Sequence, residues 1–181
     1  GAKVLHPYTM VPAFESGIPI LIKNTLNPDA PGTMIGTESH DTGHAITGIA
    51  SVEEVAMVNI EGGGMVGMPG IAGRIFTALA DEGVNIIMIS QASSEHSICF
   101  VVAAADAARA VARLRGELAA ALEQKKIERV DARGDLEIVA IIGENMRGRP
   151  GISGRLFSAL GDERINVLAI AQGSSEMNIS F

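Results

Sequence analysis

A glycine-rich segment that is suited to holding an anion occurs twice in this chain of 181 residues. The first copy spans residues 62–76 and reads GGGMVGMPGIAGRIF, and the second spans 143–157 and reads GENMRGRPGISGRLF. Apolar residues at helical spacing follow each copy, which predicts that the loop feeds the N-terminus of a helix. Free backbone N–H groups and the helix dipole favour negative charge there. The carboxylate of a free amino acid would suit such a place.

Polar residues recur beside each loop at the same offset of 81 residues. Gln91 and the run Ser93-Ser94-Glu95 match Gln172 and the run at 174–176, where a strand is predicted to end in a hairpin. A side-chain amide offers both a donor and an acceptor, so it can meet an ammonium, a carboxylate or a hydroxyl. Hairpin capping by serine is the alternative. The repetition next to the glycine loop favours a ligand site.

The pattern Gly62-x-Gly64-x-x-Gly67 also matches the dinucleotide fingerprint. That fingerprint requires a βαβ unit in a parallel sheet and an acidic residue after the next strand. Here the next strand leads into a short hairpin, and Asn145 replaces the middle glycine in the second copy. No Lys-Ser or Lys-Thr pair follows, so a P-loop is absent. Nucleotide binding at this loop is therefore disfavoured.

The composition and charge of the chain argue against several classes of partner and ligand. The net charge is −7 and the basic residues are scattered, which argues against a nucleic-acid partner. No apolar run is long enough for a membrane helix, so no membrane partner is expected. The single cysteine, Cys99, suits a reducing compartment, and a cytoplasmic location is predicted. Four histidines and one cysteine are too few and too dispersed for a metal cluster, so no metal site is predicted.

The elements that position the loops follow from hydrophobic spacing and turn signals. After a predicted buried strand at 17–22, a first copy of order βαββαβ is followed by a second copy that starts at Leu136 and ends after its third strand. This order predicts helices on one face of an antiparallel sheet. The predicted elements of the first copy are strands at 45–51 and 55–60 with a turn at Glu53-Glu54, a helix from Pro69 closed by Gly83, strands at 85–90 and 97–102, a helix capped by Asp106 with the stripe Val111, Leu114, Leu118 and Leu122, and a strand at 127–132.

The two glycine loops, the strands that follow them and the Gln-x-Ser-Ser-Glu runs together resemble the paired ACT modules of aspartate kinase. The N-terminal runs GAKVLHP (1–7), Pro12-Ala13, GIPI (17–20) and PGTMI (31–35) resemble the end of that family's catalytic domain. The resemblance implies an α+β fold with two ferredoxin-like ACT modules, preceded by a short piece of an α/β kinase domain. We expect the kinase remnant and linker at 1–44, the first module at 45–134 and a truncated second module at 135–181. The strand at 45–51 would complete the second module.

The resemblance also implies a function. Aspartate kinase phosphorylates L-aspartate with ATP and Mg, and its ACT modules bind an end-product amino acid that switches the kinase off, within a homodimer or larger assembly. The runs around Gln91 and Gln172 are most similar to the threonine-sensitive bifunctional enzymes, in which the matching glutamines are implicated in threonine binding. The predicted effector-binding residues are Gly64, Met65, Met68, Pro69, Gly70, Ile71, Ala72, Asn85, Gln91, Ser93, Ser94, Glu95 and Gln172.

The catalytic motif of the family, of the Lys-Phe-Gly-Gly-Thr-Ser type, is absent from this sequence. We therefore predict no catalytic residue, no bound cofactor and no kinase activity for this segment alone, with only Lys3 assigned to a nucleotide site. Three alternatives stay open. Lysine is the competing effector, with Glu95 or Glu61 as partner for its ammonium. The segment could also be a dimerisation scaffold without ligand, or an independent nucleotide-binding enzyme.

Overall fold

A computed structural model describes residues 4–36, 43–91 and 96–181. The chain forms two compact units, residues 1–44 and 45–181. The first unit contains helix α1 (Pro7–Glu15) and an antiparallel pair of short strands, β1 (Ile20–Ile22) and β2 (Thr33–Ile35). The predicted buried strand is only partly covered, and Leu21 is exposed, because a two-stranded ribbon cannot shield both of its faces. Lys3 lies outside the described residues.

The second unit is an antiparallel sheet of six strands with helices, as the ACT fold class requires. The strands lie in the order β4-β5-β3-β6-β8-β7. Within the first repeat, β4-β5-β3-β6 is the strand order of a ferredoxin-like module. The elements are β3 (Gly48–Glu61), α2 (Ile71–Asp81), β4 (Ile86–Gln91), β5 (Ser97–Ala103), α3 (Ala107–Glu117), α4 (Ala119–Glu123), β6 (Arg129–Ile142), α5 (Ile152–Asp162), β7 (Ala171–Gln172) and β8 (Asn178–Ser180).

Two long strands replace four predicted short ones. The strands expected at 45–51 and 55–60 form the single strand β3, and the turn at Glu53-Glu54 is wrong. Glu54 instead takes a left-handed φ of 54°, and the register of pairing with β6 shifts beside it. Asp135, the equivalent residue of β6, has the same φ of 54°. A β-bulge of this kind bends a strand without ending its ladder of hydrogen bonds. Strands β3 and β6 therefore each continue through it.

The pairing of β3 with β6 exchanges strands between the repeats. The first half of β3, 48–52, pairs with 138–142, and the second half, 57–61, pairs with 129–133. The offset of 81 residues relates Gly48 to Arg129 and Glu61 to Ile142. The pairs Gly48↔Ile142 and Arg129↔Glu61 are therefore equivalent in the two repeats. Each repeat therefore receives its fourth strand from the long strand that mainly belongs to the other.

The helix after each glycine loop begins later than predicted. Pro69 does not occupy the first helical position, because Gly70 follows it with a left-handed φ of 79° and helix α2 starts at Ile71. The second copy does the same, with Gly151 at φ 86° before Ile152. A left-handed residue cannot lie inside a right-handed helix. Gly70 therefore sets both the start of α2 and the direction of the loop.

Helix α2 ends as predicted, with Gly83 just beyond its C-terminus at φ 69°. The equivalent residue after α5 is Arg164, which holds a left-handed φ of 57° despite its side chain. Left-handed backbone costs a non-glycine residue about 1 kcal/mol or more. Arg164→Gly is therefore expected to raise the free energy of unfolding by about 1 kcal/mol, measured by urea unfolding. Gly83→Arg is the reciprocal control and should lower it by a similar amount, and equal stability of all three chains would contradict this account.

The first repeat has the larger core. Leu114 of α3 and Leu118 are fully buried, as the predicted stripe requires, although the helix breaks at Leu118 into α3 and α4. Asp106 does not cap α3 with its side chain, because its carboxylate accepts a hydrogen bond from Arg109 at 2.6 Å instead. In the described part of the second repeat, α5 is the helix that covers the sheet, and the buried core consists of Ile141, Met146, Ile152 and Ile179.

The outermost strands β4 and β7 approach each other, with Cα atoms within 8 Å, so the sheet curls. A third apolar cluster lies along the long strands, built around Val55, Val101 and Ile138. None of the helices in the described ranges has the length and hydrophobicity needed to cross a bilayer.

Candidate ligand site at the glycine loop

A cavity of about 340 Å³ lies between the first glycine loop, the start of α2 and the ends of β4 and β5. Residues that are far apart in sequence meet there, because the β4–β5 ladder places Gln91 opposite Ile98 beside the loop. The lining consists of Met65, Gly67, Met68, Pro69, Gly70, Ile71, Ala72, Gln91 and Ile98.

The floor of the cavity is apolar, and its edge is formed by exposed residues. Met65, Ile71 and Ile98 are buried beneath it, whereas Pro69 and Gln91 are exposed at its edge. Gln91 contributes the only polar side chain of the described lining, and no charged side chain is part of that lining. An apolar pocket with one oriented amide is typical of a site for a small, largely neutral molecule.

Helix α2 directs its N-terminus at this cavity. Its first internal hydrogen bond runs from the Arg74 N–H to the Gly70 carbonyl at 3.0 Å. The N–H groups of Ala72 and Gly73 precede that bond, have no acceptor four residues back within the helix, and point out of its end. Since Gly70 has no side chain to cap them, this end of the helix suits an anionic group.

The second glycine loop shows that this backbone can hold a carboxylate. The Gly148 N–H donates a hydrogen bond of 2.8 Å to Glu176 Oε2. Glu176 lies in the turn between β7 and β8, and its left-handed φ of 58° turns it back toward the loop. The equivalent residue in the first repeat, Glu95, lies outside the described residues, as do Ser93 and Ser94.

Close backbone contacts fix the shape of the first loop. The Gly62 N–H donates to the His96 carbonyl at 3.0 Å, and the Glu128 N–H donates to the Glu61 carbonyl at 2.7 Å. A Cβ on Gly64 would lie 2.6 Å from Lys126 Cα. Gly64 therefore packs against the segment before β6 and is absent from the cavity lining, although it was predicted as a site residue.

Two other predicted residues are absent from the described lining of this cavity. Asn85 precedes β4 and Gln91 ends it, so the strand separates them. Gln172 ends β7 and pairs with Ile179, the equivalent of the Gln91–Ile98 pair. Sequence reasoning missed Gly67 and Ile98. The left-handed φ of 70° at Gly67 and the hairpin partner of Gln91 were the signals available for them.

Nearby polar side chains are engaged with one another. Glu61 pairs with Arg129 at 2.7 Å and accepts a hydrogen bond from Asn59. Burial raises the pKa of the Cys99 thiol, which donates a hydrogen bond of 3.1 Å to the Ser90 carbonyl. The neutral thiol of Cys99 thus links β5 to β4 next to Gln91 through this hydrogen bond. Among the described residues, no group of three histidine, cysteine, aspartate or glutamate side chains could hold a metal ion.

Comparison with known families identifies the class of this fold. The ACT domain family matches residues 58–118 and 139–181, more than half of the chain. The chain belongs to the ACT domain family.

The relatives of the chain are aspartate kinases. It is homologous over its whole length to bifunctional aspartokinase/homoserine dehydrogenases, with 46% identity to a chloroplastic enzyme of Zea mays and 42% to the enzyme of Haemophilus influenzae. These alignments cover 99% of this chain but only 20% and 22% of the relatives. The chain therefore spans about a fifth of the length of these proteins.

Solved structures of aspartate kinases have the same fold. Aspartate kinase of Clostridium acetobutylicum is 28% identical with a TM-score of 0.84, over 98% of this chain and 41% of that one. E. coli aspartokinase III, solved in complex with lysine and aspartate, is 26% identical with a TM-score of 0.72, over 100% of this chain and 39% of that one.

Proposed function

We propose that this chain is the regulatory region of an aspartate kinase and that it binds an end-product amino acid at the first glycine loop. The observation that supports this most directly is the cavity that joins the N-terminus of α2 to Gln91 over an apolar floor. The α-carboxylate would lie at the helix end, the Gln91 amide would meet the ammonium or a side-chain hydroxyl, and Met65 and Ile71 would contact the aliphatic part.

Threonine is the effector that we favour over lysine. A buried ammonium requires an acidic partner, and the described lining contains none. Glu61, one of the two candidates, is engaged by Arg129. A threonine side chain needs only one hydrogen-bonding group and one apolar contact, which Gln91 and the methionines provide. The bifunctional relatives favour the same effector, whereas the lysine complex of E. coli aspartokinase III favours the alternative.

Calorimetric titration with L-threonine and, separately, L-lysine tests the proposal. Saturable binding of threonine alone is the expected result. Binding of lysine alone would identify lysine as the effector and would still support the proposed regulatory role. Binding of neither amino acid by a folded chain would leave the dimerisation scaffold as the better account.

Replacing Gln91 with alanine is expected to weaken threonine binding about tenfold, because one hydrogen bond to a charged or hydroxyl group contributes about 1.5 kcal/mol. The side chain is exposed at the end of β4, so the fold should not change. Asn85→Ala, at the residue just before the same strand, is the matched control, and we expect its affinity to equal that of the parent chain. Unchanged affinity in Gln91→Ala would remove this residue from the site.

The properties of the whole protein are part of the same proposal. The longer enzyme would phosphorylate L-aspartate with ATP and Mg, as a cytoplasmic homodimer or larger assembly joined through its ACT modules. Lys3 would belong to the nucleotide site. The segment alone would lack kinase activity, which a coupled ATP-consumption assay with L-aspartate measures directly.

A further inference from the structure

The two glycine loops differ at few of the positions that form the cavity. Seven of the nine residues that line the cavity recur unchanged in the second repeat, at the offset of 81 residues. The two exceptions are Met68, which corresponds to Arg149, and Ala72, which corresponds to Ser153. The second repeat therefore provides a natural comparison for the role of each of these two positions.

The backbone at the first of these positions is the same in both loops. The Met68 N–H donates to the Met65 carbonyl at 3.0 Å, and the Arg149 N–H donates to the Met146 carbonyl at 3.2 Å. A glycine with a left-handed φ precedes each residue, at 70° in the first loop and 64° in the second. The side chain thus leaves the same backbone in both repeats, and the fold accepts either methionine or arginine there.

The surroundings of this side chain differ between the repeats. Met68 is partly buried and packs against the core of the first repeat, whereas Arg149 is exposed. Met68 therefore adds an apolar side to the cavity, next to the floor that Met65 and Ile71 form. An ionised ligand side chain placed against these residues would lose its hydration without gaining a partner, which is strongly unfavourable.

The other lining residues do not select a ligand side chain by its charge. The Gln91 amide is both a donor and an acceptor, so it can meet a neutral or a charged group. Ala72 and Ser153 are both uncharged. Among the nine lining positions, only that of Met68 differs in charge between the two repeats.

We infer that Met68 determines the class of amino acid that the first site accepts, because it excludes ligands with an ionised side chain. This inference rests on the proposed function, since it assigns a specificity to the same site. A neutral side chain such as that of threonine satisfies the apolar contact, whereas those of L-aspartate and L-lysine do not. Exclusion of L-aspartate keeps the substrate of the proposed kinase out of its regulatory site.

Replacing Met68 with arginine tests the inference in the whole chain. Calorimetric titration with L-threonine and L-aspartate gives the ratio of the two dissociation constants, and specificity is that difference in affinity. The parent chain is expected to prefer threonine. Met68→Arg is expected to shift the ratio toward aspartate at least about tenfold, because the guanidinium supplies a charge-assisted partner for the second carboxylate. Met68→Leu keeps an apolar surface and should keep the preference for threonine.

Val66→Arg is the matched control for the added charge. Val66 corresponds to Arg147, so the second loop carries an arginine at this position as well. The Val66 side chain is 50% exposed and is not part of the described cavity lining. The ratio should stay within about twofold of the parent value, because an exposed charge is largely screened by solvent and salt. A shift as large as that of Met68→Arg would mean that the net charge of the loop sets the preference, which would overturn the inference.

The outcomes separate this inference from the proposed function. An unchanged ratio in a folded Met68→Arg chain overturns the inference, and Met68→Lys repeats the test if the arginine variant does not fold. Saturable binding of L-lysine or L-aspartate by the parent chain, as tight as that of threonine, also overturns it but leaves the regulatory role standing. A folded parent chain that binds none of the three amino acids contradicts the proposed function, and the inference fails with it.

Discussion

Replacing Gly62 with alanine is expected to lower the free energy of unfolding by about 3 kcal/mol or more. Gly62 is extended, with a φ of 172°, so backbone conformation does not require glycine there. Glycine is needed there because the neighbouring backbone leaves no space for a Cβ atom. A Cβ would overlap the Lys126 carbonyl oxygen and lie 2.6 Å from Ile127 Cα. Both neighbours are backbone, and Ile127 is fully buried, so no flexible side chain can move aside.

Urea unfolding followed by far-UV circular dichroism measures this loss. Gly116→Ala is the matched control, because Gly116 lies in α3 with open space around it. Alanine there should stabilise the chain by up to about 1 kcal/mol through helix propensity. Gly143→Ala should repeat the effect of Gly62→Ala, since its Cβ would overlap the Ala45 carbonyl oxygen. A loss below 1 kcal/mol in both loop variants would show that the backbone contacts can relax.

Replacing Phe100 with alanine is expected to cost about 4 kcal/mol, within the usual range for a buried phenylalanine. Phe100 of β5 is fully buried, and its ring meets that of Phe76 edge to face at a centroid distance of 6.1 Å. Truncation would leave a cavity between the sheet and α2. The rest of that core is closed by fully buried residues such as Ile75 and Leu79, which limits collapse into the space.

The repeat provides the control for this substitution. Phe181 is the equivalent residue and contacts Phe157 edge to face at 5.9 Å, but it is only partly buried. Phe181→Ala should therefore cost about half as much as Phe100→Ala or less. Thermal unfolding of the two variants ranks them directly. Equal losses would mean that the second repeat is as well packed as the first.

Local chemistry was sufficient to predict the glycine loops and the strand beside them. The same residue types recur at a fixed offset, and both loops fold alike because glycine and proline determine their own backbone conformations. Helix α2 ends just before Gly83 for the same reason. The apolar floor of the cavity, Met65 and Ile71, also follows from sequence, because both belong to this self-determined segment.

Long-range pairing was not predictable in the same way. Glu53-Glu54 has the composition of a turn, yet β6 holds the chain extended through it. The start of α2 depended on the left-handed conformation of one residue, Gly70, which proline at 69 obscured. Asn85 was assigned to the site by its recurrence alone. Recurrence reports the role of a residue in the fold as readily as a role in binding, and this residue precedes β4, at the opposite end of the strand from Gln91 and the cavity.

The exchange of strands between β3 and β6 has an implication for ancestry. Its pairing is unchanged when the two repeats trade places, which is the geometry of an isologous contact between two identical subunits. An ancestor with a single repeat would have had an unpaired sheet edge. Two copies of it would have paired these edges by exchanging one strand each. Fusion of two such genes converts that reversible dimer into one polypeptide. The duplication then removes the concentration dependence of assembly, and neither half can later be deleted without exposing the edge that its twin had covered.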